Sequence, residues 1–323
     1  MKKMTYAEGI RGAMSQRMRE DDTVLLFGED VGPFGGCFGV SAGMHEEFGE
    51  RRVRDTPISE GVIVGAAVGA AATGLKPIAE LMFVDFLTVG MDQLINQAAK
   101  MHYMFGGKIT MPMVLRLPAG AGTSAAAQHS QSLEKWVASI PGLKVVYPST
   151  AQDAYGLMLS AIDDENPVVF MEQKTLYGMS FDVDDEIEPI PLGKAKVTRE
   201  GDDVTIITYA KQALQALQAA EQLEKEGISV EVLDLRSLYP LDKEAIKATV
   251  EKTGKVVLAT EETMRGSYIA EIASIIADEC FYDLDAPIKR VASLDTPVPF
   301  ATVLEDVYMP QVEDIVRAVK EIA

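Results

Sequence analysis

Short apolar runs alternate with amphipathic stretches along most of the chain. In the first part, runs of strand length occupy residues 23–27, 76–82, 113–116, 144–147 and 167–172. Between them, residues 83–104 and 153–162 carry the spacing of helices. Strands separated by helices in this order predict a parallel sheet with crossover connections, because parallel neighbours cannot be joined by a tight turn.

The alternation stops in an acidic, proline-punctuated stretch and then begins again. Residues 181–191 have the sequence FDVDDEIEPIP, which is typical of a linker. Beyond it, strand-length runs lie at 203–210, 229–233, 255–260 and 288–292, and helical stretches lie at 212–225, 242–252 and 267–278. Asp242 and Ser267 are the predicted N-caps of two of these helices. We predict an α/β fold with two doubly wound domains: residues 1–185, a linker over 186–200, and residues 201–323.

The charge and composition of the chain indicate which classes of binding partner it favours. The chain carries 49 acidic and 30 basic residues, a formal charge of −19 at pH 7. Such a field disfavours nucleic acid and anionic membranes and favours basic proteins, although an acidic surface that only serves solubility has the same composition. Cys37 and Cys280 form no metal or disulfide motif. This cysteine usage fits a reducing compartment, and the Gly/Ala-rich residues 61–75 are too few to span a membrane. We therefore expect a protein of the cytoplasm or an equivalent soluble compartment.

Histidine is scarce, and one of the three histidines stands in a segment suited to ligand binding. His129 lies in AAAQHSQS, residues 125–132, after a glycine-rich approach at 119–123. A polar loop after a parallel strand belongs at the carboxyl edge of the sheet, where ligands bind in such folds. A loop histidine that only bonds its neighbours explains the same pattern. We expect His45 at the surface and a structural role for His102.

A second candidate is Glu60, which ends the segment DTPISE and opens a Gly/Ala-rich helix. Gly61, Gly65 and Gly69 fall on one face of that helix. Bare glycine there lets another backbone approach closely, and a subunit interface is the simplest use of such a face. Glu60 beside an interface would be poorly solvated and suited to share a proton with a ligand nitrogen. Alternatively, Glu60 only complements the helix dipole.

No phosphate-cradling motif accompanies these residues. The sequence contains no GxGxxG, no Walker loop and no GDG of the kind that anchors a metal-bound diphosphate. If the protein handles a nucleotide or a diphosphate, part of the binding site comes from elsewhere.

Segments spread over nearly the whole chain occur together in one known family. They are GED (28–30), RVRDTPISE (52–60), MDQ (91–93), YMFGG (103–107), AQHSQS (127–132), PGLKVV (141–146), NPVVF (166–170), LDLRSL (233–238) and TPVP (296–299). With these segments in this order, the chain resembles the β subunit of the heterotetrameric E1 components of 2-oxoacid and acetoin dehydrogenases.

The resemblance implies a cofactor site shared between two chains. The first domain would bind the aminopyrimidine of thiamine diphosphate, while a separate α subunit holds the diphosphate and Mg²⁺ through a GDG motif. Glu60 would bond N1′ of the pyrimidine and promote proton removal at the reactive carbon. Met82 and Phe86 would line the cofactor ring, and Glu29 would be a further cofactor-binding residue. His129 matches a histidine that handles the substrate or the incoming lipoyl group.

The resemblance also implies further partners. The chain would form an α₂β₂ heterotetramer with the E1 α subunit. Its second domain, which resembles a transketolase C-terminal domain, would mediate assembly and bind the basic subunit-binding domain of the E2 acyltransferase, whose lipoyl domain accepts the acyl group. A structural K⁺ site made mostly of backbone carbonyls would fall on Met113, Ala161, Ile162, Asp164 and Asn166.

Several functions stay open within and outside this family. Residues 80–86 and 103–107 resemble the acetoin and bacterial pyruvate type more than the branched-chain type, and we prefer acetoin to pyruvate. A branched-chain E1 β subunit and a non-catalytic subunit that docks the α chain onto E2 are the alternatives. A stand-alone transketolase-like enzyme and a nucleotide-binding electron-transfer module would both need a phosphate loop, which the sequence lacks.

Overall fold

Two larger sheets in which parallel pairs predominate, each with its own helices, and one two-stranded antiparallel sheet make up the fold in the computed structural model, which describes residues 1–323. The unit around the first sheet comprises residues 1–119 and 136–192, and the unit around the second comprises 120–135 and 193–323. The segment 120–135, which carries His129, therefore groups with the second unit, although it lies within the residues predicted for the first domain.

The first unit contains a parallel sheet flanked by helices. Its strands are β1 (Lys2–Thr5), β2 (Val24–Gly28), β3 (Val53–Asp55), β4 (Lys76–Glu80), β5 (Val114–Ala119), β6 (Lys144–Val146), β7 (Val168–Gln173) and β8 (Ser180–Val183). Its helices are α1 (Tyr6–Glu20), α2 (Met44–Phe48), α3 (Glu60–Ala72), α4 (Leu87–Asp92), α5 (Ala99–Met104) and α7 (Ala151–Asp163), and α6 (Glu134–Ala138) crosses into it from the second unit. Six strands lie in the parallel order β6-β7-β5-β4-β2-β3. The predicted parallel sheet is confirmed.

The acidic stretch after β7 is partly regular structure. Its first residues form β8, which pairs antiparallel with β1, and Lys3 bonds Asp182 across the pair at 2.9 Å. Farther along, β9 (Lys196–Arg199) lies inside the residues predicted as linker and pairs antiparallel with a strand of the second sheet. Both short strands have little apolar pattern of their own, so pairing with a partner far away in sequence decides their conformation.

The second unit repeats the architecture on a smaller scale. Its other strands are β10 (Val204–Thr208), β11 (Val230–Asp234), β12 (Ser237–Tyr239), β13 (Val256–Thr263) and β14 (Lys289–Ser293). Its helices are α8 (Lys211–Glu224), α9 (Lys243–Thr253), α10 (Tyr268–Glu279), α11 (Thr302–Tyr308) and α12 (Val312–Lys320). The sheet order is β14-β13-β10-β11-β9, with only β9 antiparallel. Two doubly wound α/β units are thus present, as predicted. None of the helices combines the length and apolar content that crossing a bilayer needs.

The two predicted N-caps have different outcomes. Asp242 accepts the backbone N–H of Ala245 at 3.3 Å, which confirms that cap. The Ser267 hydroxyl instead donates to the Met264 carbonyl at 3.3 Å, so its side chain does not cap α10. The Glu262 carboxylate, from outside the helix, accepts the N–H of Tyr268 and so satisfies one of the four backbone donors at the start of α10 that have no partner within the helix.

Two of the three glycines on one face of α3 lie close to other residues of the first unit. A Cβ on Gly61 would lie 3.4 Å from the Val89 carbonyl oxygen, and one on Gly65 would lie 3.2 Å from Gln93 Cγ. A Cβ on Gly69 would meet nothing within 4 Å. The close approach predicted from the glycine spacing therefore occurs within the chain, between α3 and the helical region that begins with α4.

Candidate active site

Three neighbouring strands of the first unit end at one edge of its sheet, and three predicted cofactor residues follow them. Strand β2 pairs with β3 on one side and β4 on the other. Glu29 comes directly after β2, Met82 follows the end of β4 by two residues, and Glu60 opens α3 after the turn beyond β3. Gly28 allows β2 and β4 to lie close, because a Cβ there would be 2.6 Å from the Glu80 carbonyl oxygen. The carboxyl edge of such a sheet is where ligands bind.

Glu29 and Glu60 are both largely shielded from solvent, with exposed fractions of 5% and 8%. Burial, followed by the nearby negative charge of Glu60, raises the pKa of Glu29. The backbone N–H of Ser59 bonds the Glu29 carboxyl group, whereas Glu29 Oε1 has no hydrogen-bond partner. A buried polar atom of this kind is rare in folded proteins, and a bound ligand is one way to satisfy it. Burial and a like charge nearby both favour the protonated form of Glu29.

Phe86, which is predicted to line a cofactor ring, belongs to a series of ring contacts. It meets Phe83 edge-on with ring centres 6.2 Å apart, and Phe83 meets Phe38 edge-on at 5.6 Å. The Lys174 Nζ lies 5.1 Å from the centre of the Phe83 ring. Met82 and Phe86 are half-buried, so each keeps apolar surface that a ligand could cover. Phe38 and Phe83 were not predicted from the sequence, although the two aromatic residues of MFVDF (82–86) were a signal for Phe83.

A buried ionic network, also missed from the sequence, links the strands beside this edge. Arg116 in β5 donates to Glu80 at the end of β4 and to both carboxylate oxygens of Glu172 in β7. The Tyr177 hydroxyl donates to Glu172 at 2.6 Å. The arginine inside the apolar run VLRLPA could have predicted this network from the sequence, since a buried guanidinium requires buried carboxylate partners. The network ties together three strands whose ends form the edge.

His129 lies in the second unit, in the loop that follows β5, and is half-buried. Its backbone N–H donates to the Ala126 carbonyl at 3.3 Å, and the Gly120 N–H donates to the Gln131 carbonyl at 2.9 Å and closes the loop. The segment is a loop after a parallel strand, as predicted. The role of the imidazole stays a prediction.

The residues assigned to a K⁺ site lie at the opposite edge of the first sheet. They are Met113, directly before β5, Ala161 and Ile162 in the last turn of α7, and Asp164 and Asn166 between α7 and β7. Helix α7 ends before the extended Asp164, so its last carbonyls have no helical partner and carry the negative end of the helix dipole. The Asp164 carboxylate accepts from Lys144 Nζ and from both nitrogens of Asn166. The groups that remain here for a cation are mainly backbone carbonyls, and the K⁺ site stays a prediction.

Two family models match the chain. The transketolase pyrimidine-binding domain matches residues 2–179, and the transketolase C-terminal domain matches residues 193–315. A solved structure described as "Split gene transketolase, inactive beta4 tetramer" has a TM-score of 0.81 at 23% sequence identity, and the match covers 99% of this chain and 98% of that one. The predicted fold class is confirmed by this similarity.

Curated relatives match the chain from end to end. The 2-oxoisovalerate dehydrogenase subunit beta of Bacillus subtilis is 48% identical, with 100% of this chain and 99% of the relative covered. The beta subunit of acetoin:2,6-dichlorophenolindophenol oxidoreductase from the same organism is 50% identical, with 99% and 97% covered. The pyruvate dehydrogenase E1 component subunit beta of Rickettsia bellii is 46% identical, with 99% and 98% covered. The chain therefore belongs to the family of E1 β subunits of pyruvate, branched-chain and acetoin dehydrogenase complexes.

Proposed function

We propose that this chain is the β half of a two-subunit E1 dehydrogenase that uses thiamine diphosphate. The enzyme would cleave acetoin or a 2-oxoacid next to a carbonyl and transfer the acyl group to the lipoyl group of E2. The observation that carries the proposal is the buried Glu60 at the head of α3, within electrostatic reach of the buried Glu29. Both carboxyls stand at the carboxyl edge of a parallel sheet, where ligands bind.

The residues at this edge fit the aminopyrimidine half of the cofactor. Glu60 would hold N1′ by a hydrogen bond, which is strong in a poorly solvated site. Burial raises the pKa of Glu29, which favours the protonated form of that carboxyl group beside Glu60. Met82 and Phe86 would cover the ring with their half-buried apolar surface. When bound, the cofactor supplies the nucleophilic carbon and stabilises the charge left by bond cleavage.

We assign the substrate step to His129. An imidazole can donate or accept a proton near neutral pH, which suits a group that serves the substrate carbonyl or the incoming lipoyl group. Its half-buried position in a loop after β5 supports this role, because such loops carry reacting groups in parallel α/β folds.

The remaining half of the cofactor site would come from a separate E1 α subunit. That chain would hold the diphosphate and Mg²⁺, since this sequence has no GDG or other phosphate loop. We propose an α₂β₂ heterotetramer with cofactor sites shared by α and β. The charge of −19 suits a basic subunit-binding domain of E2, and two unpaired cysteines support a cytoplasmic location.

We also propose that K⁺ binds at the end of α7. The last carbonyls of that helix, together with the Met113 carbonyl, would act as ligands, and the helix dipole favours a cation there. The Met113 carbonyl already accepts the Val168 N–H at 2.9 Å, which leaves it one lone pair for a cation. Such a site would be structural, because it lies at the edge of the sheet opposite Glu60.

The proposal also ranks three candidate substrates. The relatives named for acetoin, 2-oxoisovalerate and pyruvate are 50%, 48% and 46% identical to this chain, a spread too small to rank them. Acetoin is preferred on the segments 80–86 and 103–107, pyruvate follows, and the branched-chain acids are the alternative.

Calorimetric titration of thiamine diphosphate with Mg²⁺ tests the shared site. The chain would be titrated alone and after co-expression with a candidate α chain. We expect no binding to the chain alone and tight binding to the pair, followed by turnover of acetoin, pyruvate or a branched-chain acid. Tight binding to the chain alone would refute the two-subunit site. Turnover that survives loss of the Glu60 carboxylate would instead favour a subunit that only docks α onto E2.

A further inference from the structure

The loop that carries His129 has a backbone conformation that its sequence does not favour. Four of its residues have positive φ: Gly120 at 91°, Gly122 at 97°, Ser124 at 52° and Ala126 at 60°. Serine and alanine rarely adopt such angles, so surrounding contacts must hold them. The contacts that hold Ser124 come from α11 of the same unit.

Glu305 of α11 holds the part of the loop that contains Ser124. Its Oε1 accepts the Gly122 N–H at 2.8 Å, and its Oε2 accepts the Ser124 N–H at 2.8 Å. The side chain is 1% exposed. Hydrogen bonds from backbone N–H groups to a carboxylate are charge-assisted and stronger than neutral ones. One buried carboxylate therefore fixes two amides on either side of residue 123.

Two more glutamates hold the ends of the same segment. Glu261 Oε1 accepts the Ala121 N–H at 2.6 Å, and Glu262 Oε1 accepts the Lys135 N–H at 3.1 Å. We call Glu261, Glu262 and Glu305 the glutamate clamp. All three are buried, and their bonds lie on both sides of His129 in sequence. Ala121 also packs in one apolar cluster with Val298, Tyr308 and Met309.

We propose that Glu305 is a positioning residue that sets the conformation of the His129 loop and thereby the placement of the imidazole. The proposal rests on the substrate role assigned to His129 above. Glutamine at this position would keep the length and volume of the side chain. Its NH₂ group, however, would face one of the two N–H donors, so one amide would lose its acceptor and be pushed away. A displacement of about 1 Å of a reacting group can lower turnover about a hundredfold.

Hydrogen exchange of the full chain tests the clamp without cofactor or partner. In Glu305→Gln, amide exchange in peptides covering 120–130 should become at least about tenfold faster, because local opening governs exchange. Peptides covering β10 should exchange as in the wild type. The matched control is Glu231→Gln. Glu231 is a buried glutamate of the same unit that bonds Thr249 and Lys252, and its loss should leave 120–130 unchanged.

Kinetics of the reconstituted α/β enzyme test the positioning. Glu305→Gln should lower kcat by about a hundredfold, with thiamine diphosphate affinity and KM changed less than about threefold. Glu305→Asp, which keeps both acceptor oxygens on a shorter side chain, should restore part of kcat. In a His129→Ala background, Glu305→Gln should cost less than about threefold more, because groups that act as a unit are not additive.

The outcomes separate the two hypotheses. Unchanged exchange at 120–130 in both Glu305 variants would overturn the clamp. Faster exchange with normal kcat, in an enzyme that His129→Ala inactivates, would overturn the positioning role. If His129→Ala has normal turnover, the substrate role of His129 fails and the positioning proposal with it, while the exchange data still decide whether Glu305 holds the loop.

Discussion

Arg116 donates two parallel hydrogen bonds to Glu172, from Nε at 2.7 Å and from Nη2 at 2.8 Å, and neither side chain has any solvent exposure. Arg116 bonds Glu80 as well, and burial raises the pKa of Glu80 despite that bond. In such a group the attraction between the charges offsets the cost of removing them from water. Its net contribution to stability is therefore modest, but the loss of one member leaves the others buried and unpaired.

Arg116→Met should accordingly destabilise the protein by about 3–5 kcal/mol. The expected observation is a lower urea midpoint for unfolding. The matched control is Arg19→Met, which removes an exposed arginine that also bonds both oxygens of one carboxylate, Glu47. An exposed pair is worth less than about 1 kcal/mol. Equal losses in the two variants would contradict the importance of burial.

Glu60→Gln should lower turnover of the reconstituted enzyme by about a hundredfold to ten-thousandfold. The amide keeps the volume of the side chain but cannot take or return a proton at the pyrimidine nitrogen. Steady-state kinetics with a saturating lipoyl acceptor measures the effect. Glu46→Gln, at an exposed first-turn glutamate of α2, should leave turnover unchanged. Near-normal turnover in Glu60→Gln would remove the proposed role of this carboxyl group.

His129→Ala should impair substrate processing or lipoyl acylation by about a hundredfold. Thiamine diphosphate affinity should stay within about threefold of the wild type, since the residue serves the reaction rather than cofactor binding. Calorimetry and single-turnover kinetics separate the two effects. His45→Ala, in the short helix α2, is the control and should match the wild type in both. A large loss of cofactor affinity in His129→Ala would contradict the assignment.

Stability should depend on pH through the buried pair Glu134 and Glu262. Burial is the main cause that raises the pKa of both, that of Glu262 to about 7 from 4.5. The Tyr209 hydroxyl lies 3.3 Å from Glu134 Oε1 and 3.4 Å from Glu262 Oε2. Because the folded state holds the proton more tightly than the unfolded state, the free energy of unfolding should fall as pH rises from about 4.5 to about 7.

Glu262→Gln should flatten this dependence, because the variant has no proton to lose at that position. Urea unfolding at about pH 5 and about pH 8 measures the difference. Glu313→Gln, at an exposed position in α12, should keep the wild-type dependence. An equally steep fall in Glu262→Gln would show that other groups cause it.

The sequence predicted the parts of the fold that depend on local pattern. Strands β4, β5 and β7 are buried almost throughout, and continuous apolar runs are what buried parallel strands require. Strands β8 and β9 lack such runs, and both were assigned to the acidic stretch or the linker. The segment that contains Glu60 was also singled out from the sequence, and its role in ligand binding stays a prediction.

The sequence by itself determined the alternation of elements, the family and the candidate residues Glu60 and His129. Only the tertiary structure decided which charged groups meet: Arg116 with a carboxylate 56 residues away, and Ser124 with one 181 residues away. The spacing of apolar residues depends on one element alone, because each strand or helix buries one of its own faces. The partner of a buried charge depends on how the whole chain is folded, so no local pattern can specify it.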